Sequence, residues 1–325
     1  IKLAAIGGEN FGLYNLVSYA DWNAVVIAGC ASHMDYIAVH NAYAPVMIAE
    51  TRDLPLEDVY AAMLAAPLLI EQNLATLTSQ ITTYAGADAS HIKIAVTEWG
   101  PFFHVSPSSQ YVDHNKTMAS AIFVASVMKR FMESPLTEIA NFFKLSDAVA
   151  FTGWIGSRPS AIPPFPDGYA KANADLIALK MLRPMVGETV VGSSVTASLF
   201  PASQMGLMAN MTAPVVEAIA SINADNNTLH LVVINKQLAE PVVLVMGFGG
   251  KATYGEDWPV YTLAAAADAS TGTALPAIDG ITWAAQKTLR SNSKFNSGAV
   301  DVVLQNSVFH PTSSADKYTL APASI

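Results

Sequence analysis

Short apolar runs alternate with helix-like stretches along the first part of the chain. The apolar runs lie at residues 1–8, 34–40, 93–97 and 139–149, and apolar residues recur at helical spacing over 13–31, 56–84, 117–132 and 169–181. Near-continuous apolar strands that alternate with helices are typical of a parallel sheet covered on both faces. Four such units predict an α/β domain with half the strands of an eightfold barrel.

The second of these helices has well-marked ends. Glu57 and Asp58 lie in its first turn, where acidic side chains favour a helix, and Gly86 follows its last residue. The residues before it, 41–52, carry no periodic pattern and are predicted to form a loop.

After Pro184 the pattern changes to shorter β-like segments separated by Asn, Gly, Pro and Asp. These segments are 190–198, 215–223, 228–236, 241–248 and 299–305. Such spacing is typical of an antiparallel sandwich, and Asp225, Asn226 and Asn227 favour a tight hairpin between two of the strands. We therefore predict a partial barrel over 1–186 and a β-sandwich over 187–325, with the boundary near Gly187.

Composition narrows the class of protein. Of the 325 residues, 52% are hydrophobic and only 13% are charged, so much apolar surface must be buried within the chain or against a partner. A net charge of −9 without a Lys/Arg cluster argues against binding to nucleic acid or to an anionic membrane. No apolar run approaches the roughly 20 residues that span a bilayer.

Three further features concern cofactors and location. A single cysteine, Cys30, excludes a disulfide framework and a cysteine-rich metal site, and the Gly-Gly pairs at Gly7 and Gly249 lack the context of a phosphate-binding loop, so no cofactor is predicted. Three Asn-x-Thr sequons begin at Asn115, Asn210 and Asn226. Extracellular and cytoplasmic locations both stay open, with secretion slightly favoured. The start at Ile1 and the final LAPASI predict a part of a longer polypeptide.

The segment IKIAVTEWGPFF, residues 92–103, is the strongest candidate for chemistry. Its apolar run, Lys93 to Thr97, stops at Glu98, and in barrels of alternating strands and helices the reactive groups lie at the carboxyl ends of the strands. Trp99 would supply a flat aromatic partner beside the charge, as sugar sites require. A strand-end Glu98 in a surface ion pair is an equally good interpretation of this segment alone.

A wider set of segments follows the order of a known family. IKLAAIG, HMDYIAVHNAY, VTEWGPFF, an Ala-rich helix, ANFFKLSDAVAF, LVVINK, SNSKFNSG and LAPASI occur in that order. Together they resemble the C-terminal half of glycoside hydrolase family 51, the retaining α-L-arabinofuranosidases, over essentially the whole chain. The resemblance implies strands five to eight of a TIM barrel followed by a jelly-roll-like β-sandwich.

The resemblance also implies roles for single residues. Glu98 matches the catalytic nucleophile on barrel strand seven, and His40 and Tyr43 match the wall that receives the sugar, although the family has His-x-Tyr and this chain His-x-x-Tyr. Lys144 stands where the family has a sugar-facing Gln, and Gly100 replaces an Asn beside the nucleophile. Separately, Trp154 lies where barrel loop eight is expected, and it is either a sugar-stacking platform or an ordinary packed side chain.

A second carboxylic acid is needed for retaining hydrolysis, about 5–5.5 Å from the nucleophile. In the family it lies in a Gly-Asn-Glu motif on a strand that precedes the residues present here. The nearest local motif is Gly8-Glu9-Asn10, but two more strand and helix units would then have to fit before Ile92, so we interpret Glu9 as a loop residue.

Other titratable residues give weaker predictions. His33, Asp35 and His40 are close in sequence, but Asp35 and His40 lie at opposite ends of one strand and cannot converge on an ion, so no metal site is predicted. Asp35 is expected to hold the start of its strand, and His40 to donate a hydrogen bond to a sugar hydroxyl or to Glu98. His104 and His114 are expected in a loop after Glu98.

Two classes of function fit these observations. The first is a retaining α-L-arabinofuranosidase acting on arabinose-containing polysaccharides or oligosaccharides, with a companion chain that carries the N-terminal half of the barrel and with a homo-oligomeric assembly. The second is a barrel-derived carbohydrate-binding or structural subunit without catalytic activity. A β-xylosidase or endoglucanase of the same clan is a further alternative.

Overall fold

The computed structural model describes residues 2–7, 19–40, 42–43, 54–101, 118–143, 146–147, 155–156, 171–172, 174–206, 208–225, 227–238, 240–248, 254–265 and 302–325. Contacts divide the chain into two compact units that are interleaved along the sequence. One unit comprises Ile1–Asn115, Ser126–Gly153 and Pro201–Ala213, and the other comprises Lys116–Ala125, Trp154–Phe200 and Pro214–Ile325. The predicted boundary near Gly187 stays a prediction.

The first unit is built on a parallel sheet. Its strands are β1 (Ala4–Ile6), β2 (Tyr36–Val39), β3 (Ala42–Tyr43), β4 (Lys93–Gly100) and β5 (Thr137–Phe142). β2 pairs with β1 on one side and with β4 on the other, β3 continues beside the end of β4, and β5 pairs with the opposite edge of β4. All these pairs are parallel, and the strands that span the sheet lie in the order β1-β2-β4-β5, with the short β3 beside the end of β4. The predicted α/β class is therefore confirmed.

Five helices are described: α1 (Tyr19–Cys30), α2 (Leu56–Ala65), α3 (Pro67–Ala85), α4 (Met118–Glu133) and α5 (Ala174–Leu182). The helical region predicted over 56–84 is confirmed, but it is divided into two helices at Ala66, because Pro67 lacks an N–H and its ring crowds the preceding turn, so α3 begins there. The predicted stop is confirmed: Gly86 has φ +55° and directly follows α3.

Asp35 joins the first two strands. Its Oδ2 accepts a hydrogen bond from the backbone N–H of Leu3 at 2.8 Å, and its own N–H donates to the carbonyl of Leu3 at 2.8 Å. The predicted role of Asp35 at the start of β2 is confirmed. Gly7 continues the pairing by donating its N–H to the carbonyl of Ala38 at 2.8 Å.

Three side chains converge over the face of the parallel sheet near the amino ends of its strands. Lys2 Nζ donates to the hydroxyl of Tyr36 at 2.9 Å, that hydroxyl donates to Glu138 Oε1 at 2.8 Å, and Lys2 Nζ lies 3.6 Å from Glu138 Oε1. The hydrogen bond from Tyr36, with the charge of Lys2, lowers the pKa of Glu138, and the bond to Tyr36 with the charge of Glu138 raises the pKa of Lys2. Tyr36 belongs to β2 and Glu138 to β5, and Lys2 lies two residues before β1.

Short strands lie between residues 146 and 214. They are β6 (Ser146–Asp147), β7 (Ile155–Gly156), β8 (Lys171–Ala172), β10 (Leu199–Ala202) and β11 (Met211–Pro214). β7 and β8 pair antiparallel, and β10 pairs with β11. The helix predicted over 169–181 therefore begins later than expected, at Ala174, because Lys171 and Ala172 are paired as a strand.

The remaining strands confirm the antiparallel pattern predicted after Pro184. They are β9 (Thr189–Val191), β12 (Val216–Ile222), β13 (Leu229–Asn235), β14 (Val242–Val245), β15 (Trp258–Ala265), β16 (Val302–Phe309) and β17 (Lys317–Leu320). They form antiparallel groups in the orders β13-β12-β9, β14-β17 and β15-β16.

Two details of this part correct or confirm the sequence-based expectations. Residues 192–198 form no strand, contrary to the prediction for 190–198, and Gly192, where the strand stops, has low strand propensity. The predicted hairpin is confirmed, since Asn223 Oδ1 accepts hydrogen bonds from the N–H groups of Asn227 and Thr228, each at 3.0 Å, at the turn between β12 and β13.

A buried ion pair lies in the same group of strands. Lys236 Nζ donates to Glu217 Oε1 at 2.8 Å, and the two side chains are 0% and 3% exposed. Within the described residues, no helix is long and apolar enough to cross a membrane.

Candidate active site

A bulge in β4 determines where the side chain of Glu98 points. Val96 pairs with Ala140 and Trp99 with Phe142, so three steps along β4 correspond to two steps along β5. One extra residue in a strand reverses the alternation of side chains beyond it. Trp99 therefore shares a face with Ile94 and Val96, and Glu98 is turned to the opposite face.

The surroundings of Trp99 agree with this geometry. Its side chain is 1% exposed, and its ring makes edge contacts with Phe131 of α4 at 5.1 Å and with Phe142 of β5 at 5.0 Å between centroids. The predicted role of Trp99 as a sugar-contacting ring beside the carboxylate is therefore wrong for this structure, because the ring is buried on the helix-covered face of the sheet.

Glu98 lies two residues before the carboxyl end of β4, rather than just beyond the strand as predicted. β3 extends the pairing to Gly100, with Ala42 opposite Trp99, and this pairing lengthens the strand past the carboxylate. The side chain of Glu98 is 38% exposed. It is thus open to solvent and to a ligand from the carboxyl end of the sheet.

His40 is the side chain that the structure brings to Glu98. It directly follows β2, and its Nδ1 lies 3.5 Å from Glu98 Oε2, with the histidine side chain 49% exposed. The structure thus places His40 beside Glu98, as one of its two predicted contacts requires, while the predicted hydrogen bond to Glu98 or to a sugar hydroxyl stays a prediction. Thr97, in the bulge, donates its hydroxyl to the carbonyl of Val39 at 3.4 Å and so ties the two strand ends together.

For the other predicted site residues, the structure describes only the backbone of Tyr43. Tyr43 lies in β3 with its backbone opposite Gly100, and nothing further is described for its side chain. The positions outside the described residues are Glu9, His104, His114, Lys144 and Trp154. Their roles stay predictions.

A half-exposed carboxylate beside an imidazole at the carboxyl end of parallel strands can serve as a nucleophile, as a proton acceptor, or as one half of a surface ion pair. Within the described residues, no group of three or more His, Cys, Asp and Glu side chains could hold a metal ion.

Sequence reasoning does not single out the bulge or the Lys2, Tyr36 and Glu138 cluster. The one available signal for the bulge is the sequence VTEW itself: strict alternation from Ile94 and Val96 would place Glu98 on the buried face with them, which a carboxylate disfavours. The three cluster residues are far apart in sequence, and no local pattern links them.

Solved structures of carbohydrate-active enzymes share this fold. An α-L-arabinofuranosidase of Thermotoga maritima, solved with arabinose, is similar over 100% of this chain and 56% of its own, with a TM-score of 0.68 and 18% identity. A glycoside hydrolase family 51 α-L-arabinofuranosidase of Thermotoga petrophila is similar over the same shares, with a TM-score of 0.66 and 18% identity.

A xyloglucanase of glycoside hydrolase family 44 from Paenibacillus polymyxa is similar over 99% of this chain and 55% of its own, with a TM-score of 0.54 and 15% identity. No protein-family model matches the sequence, and no curated protein matches it. The chain thus spans little more than half the length of these enzymes. The likeness in fold to family 51 α-L-arabinofuranosidases, predicted from the order of motifs, is confirmed over the whole chain.

Proposed function

We propose that this chain forms the C-terminal half of a retaining α-L-arabinofuranosidase, with strands five to eight of a TIM barrel followed by a jelly-roll-like β-sandwich. The observation that carries the proposal is the position of Glu98: a solvent-open carboxylate at the carboxyl end of a buried parallel strand, turned away from the helix-covered face by a bulge and placed 3.5 Å from His40. This is the end of a barrel at which catalytic groups lie.

The proposed reaction has two steps. Glu98 attacks the anomeric carbon of an arabinofuranosyl unit, and the bond to the leaving oxygen breaks while a second carboxylic acid protonates that oxygen. Water then attacks the same carbon, the second group takes a proton from the water, and the bond to Glu98 breaks to release arabinose. The second carboxylic acid belongs to a strand that precedes these residues in the family motif.

A companion polypeptide would supply that acid. Within the described residues, β1 pairs on one edge only, with β2; its Ile6 is 73% exposed, and Leu3, just before the strand, is 54% exposed. Val25 of α1 is 72% exposed. Open strand edges beside apolar side chains favour pairing with another strand. We propose that the N-terminal half of the barrel covers this edge, and that arabinose-containing polysaccharides or oligosaccharides are the substrates.

Chemical rescue tests the nucleophile directly. The whole assembly, with the companion polypeptide present, is assayed on an aryl α-L-arabinofuranoside as wild type and as Glu98→Ala. We expect the variant to lose at least about three orders of magnitude in kcat, as removal of a catalytic nucleophile does, and azide to restore activity with formation of the inverted arabinofuranosyl azide. Activity of Glu98→Ala within tenfold of wild type would contradict the proposal.

Two departures from the family motif favour a second candidate function, a carbohydrate-binding or structural subunit without catalysis. Gly100 and Lys144 replace side chains that hold the sugar in the family. Assays on the same assembly distinguish the two functions. Release of arabinose from the aryl substrate supports the enzyme, whereas binding of arabinan without release of arabinose supports the binding subunit.

A further inference from the structure

One of the three sequons lies in a described and accessible part of the chain. Asn210, Met211 and Thr212 form the triplet Asn-Met-Thr at the start of β11. The side chains of Asn210 and Thr212 are both exposed, and Met211 between them is half-buried. The triplet also lines an open surface cleft of about 420 Å³, together with Pro201, Ala202 and Ser203. The acceptor amide and the hydroxyl two residues later are therefore both reachable.

The hydrogen bonding of Asn210 holds its amide in one orientation. Its Oδ1 accepts the backbone N–H of Gln204 at 2.6 Å, which closes the turn between β10 and β11. Among the described residues, Nδ2 makes no hydrogen bond. The oxygen is thus used by the fold, while the nitrogen is left for a substituent that would not break the turn.

The other two sequons give no comparable geometry. Asn115 and Asn226 lie outside the described residues. In the triplet that begins at Asn226, the hydroxyl of Thr228 donates to Asn227 Oδ1 at 3.0 Å, and its N–H donates to Asn223 Oδ1 at 3.0 Å, so this threonine is engaged in the hairpin.

The geometry points to Asn210 Nδ2 as an N-glycosylation site. In the modification, Nδ2 displaces a lipid diphosphate from the anomeric carbon of a lipid-linked oligosaccharide: a carbon–nitrogen bond forms, the sugar–phosphate bond breaks, and one amide proton is lost to a base. The sugar would occupy solvent beside the cleft that Asn210 and Thr212 line. This inference does not depend on the proposed hydrolase activity.

Peptide mapping of secreted protein tests the site. The chain is expressed in a eukaryotic secretory host, treated with a glycan-releasing amidase in heavy-oxygen water, and mapped by mass spectrometry. We expect Asn210 to be converted to labelled Asp in most molecules. Thr212→Val, which keeps the shape of the side chain but removes its hydroxyl, is expected to abolish the label, and Thr212→Ser to retain it.

The fraction of labelled Asp is measured in the peptide that contains residue 210. A folding defect in one variant therefore does not affect the result for the wild-type protein. Unmodified Asn210 in the secreted wild-type protein would overturn the inference, whatever is found at Asn115 or Asn226. Labelled Asp at residue 210 that persists in Thr212→Val would overturn it as well, because the label would then come from spontaneous deamidation.

Discussion

His40 and Glu98 lie near the carboxyl ends of two paired parallel strands, β2 and β4. The contact of 3.5 Å between Nδ1 and Oε2 is longer than an ordinary hydrogen bond, and contacts of this kind often tighten when substrate binds. In the proposed enzyme, His40 would act as a positioning residue that orients the carboxylate toward the anomeric carbon.

Replacement of His40 tests this role. We expect His40→Ala to lower kcat/KM on an aryl α-L-arabinofuranoside about tenfold, which corresponds to ~1.4 kcal/mol of transition-state stabilisation, mainly through kcat. His40→Gln keeps a donor and should recover part of the loss. His33→Ala is the control, because His33 is exposed in the turn that precedes the same strand. Equal losses in the His33 and His40 variants would contradict the positioning role.

Gly7 is fixed by its neighbours on β2. A Cβ atom at this position would lie 2.7 Å from Ile37 Cγ1 and 2.8 Å from Val39 Cγ1, closer than van der Waals contact allows. We expect Gly7→Ala to lower the free energy of unfolding by about 1–3 kcal/mol through overpacking, as measured by urea denaturation of the assembly.

Gly29 provides a matched control for this substitution. It lies in the last turn of α1, and a Cβ atom added there would meet no other atom within 4 Å. Because alanine favours helix over glycine by roughly 0.5–1 kcal/mol, Gly29→Ala should leave stability unchanged or raise it. If both variants lose the same stability, crowding at Gly7 is not the cause.

At the scale of the secondary-structure elements, hydrophobic periodicity is enough to predict most strands and helices. It places β2 and α4 within a few residues, because a buried strand and an apolar helix each impose a strong local pattern. It does not reveal the break at Pro67, because both flanking segments have helical spacing, and one proline does not disturb a count of apolar positions.

The bulge in β4 and the short pairing of β7 with β8 cannot be predicted in the same way. Both depend on the partner strand: the extra residue at 97–98 is defined only against Ala140 and Phe142 of β5. The sequence therefore predicts Trp99 beside Glu98, although the pairing turns its ring to the helix-covered face. The identity of Glu98 as a candidate needs only local sequence, whereas its orientation needs the sheet.

One carboxylate connects the three strands β13, β12 and β9. Glu188 Oε2 accepts hydrogen bonds from the Ser221 hydroxyl at 2.6 Å and from His230 Nδ1 at 2.8 Å, and Ser221 stands opposite His230 in the sheet. The Ser221 hydroxyl, with His230, holds the pKa of Glu188 below its ordinary value of 4.5, against the opposing effect of burial.

Removal of the Ser221 hydroxyl should weaken this sheet in a pH-dependent manner. The hydrogen bond favours ionised Glu188, so its stabilisation is present above pH 4.5 and is lost as the pH falls through the lowered pKa of the folded state. We expect Ser221→Ala to cost about 1.5–3 kcal/mol at pH 7 and less at pH 3, by urea denaturation. Ser193→Ala, at an exposed position, should change stability by less than about 0.5 kcal/mol at both values. A cost for Ser221→Ala that is constant with pH would exclude coupling to Glu188.

At the scale of the whole molecule, the unusually apolar composition and the open parallel sheet both indicate apolar surface that a further polypeptide segment would cover. The edge of β1 exposes Leu3 and Ile6, and Trp22 of α1 donates its ring N–H to the carbonyl of Ile6 at 3.0 Å while staying 46% exposed. The similar enzymes are almost twice as long as this chain. If the proposed N-terminal half of the barrel covers β1, the edge becomes an interface between polypeptides or between halves of one polypeptide.

A charge at the edge of β1 tests that arrangement. Ile6→Glu would place a carboxylate in the covered interface, and an unpaired charge is costly to bury, so we expect at least about a tenfold weaker association with the companion polypeptide, measured by titration of the separated parts. Val243→Glu on β14 is the matched control, because Val243 is similarly exposed, at 57%, in the second unit. Because the companion would carry the second carboxylic acid, arabinose release should fall in parallel with association in Ile6→Glu and stay at the wild-type level in Val243→Glu. Equal effects of the two substitutions would mean that β1 is not the edge on which the barrel closes.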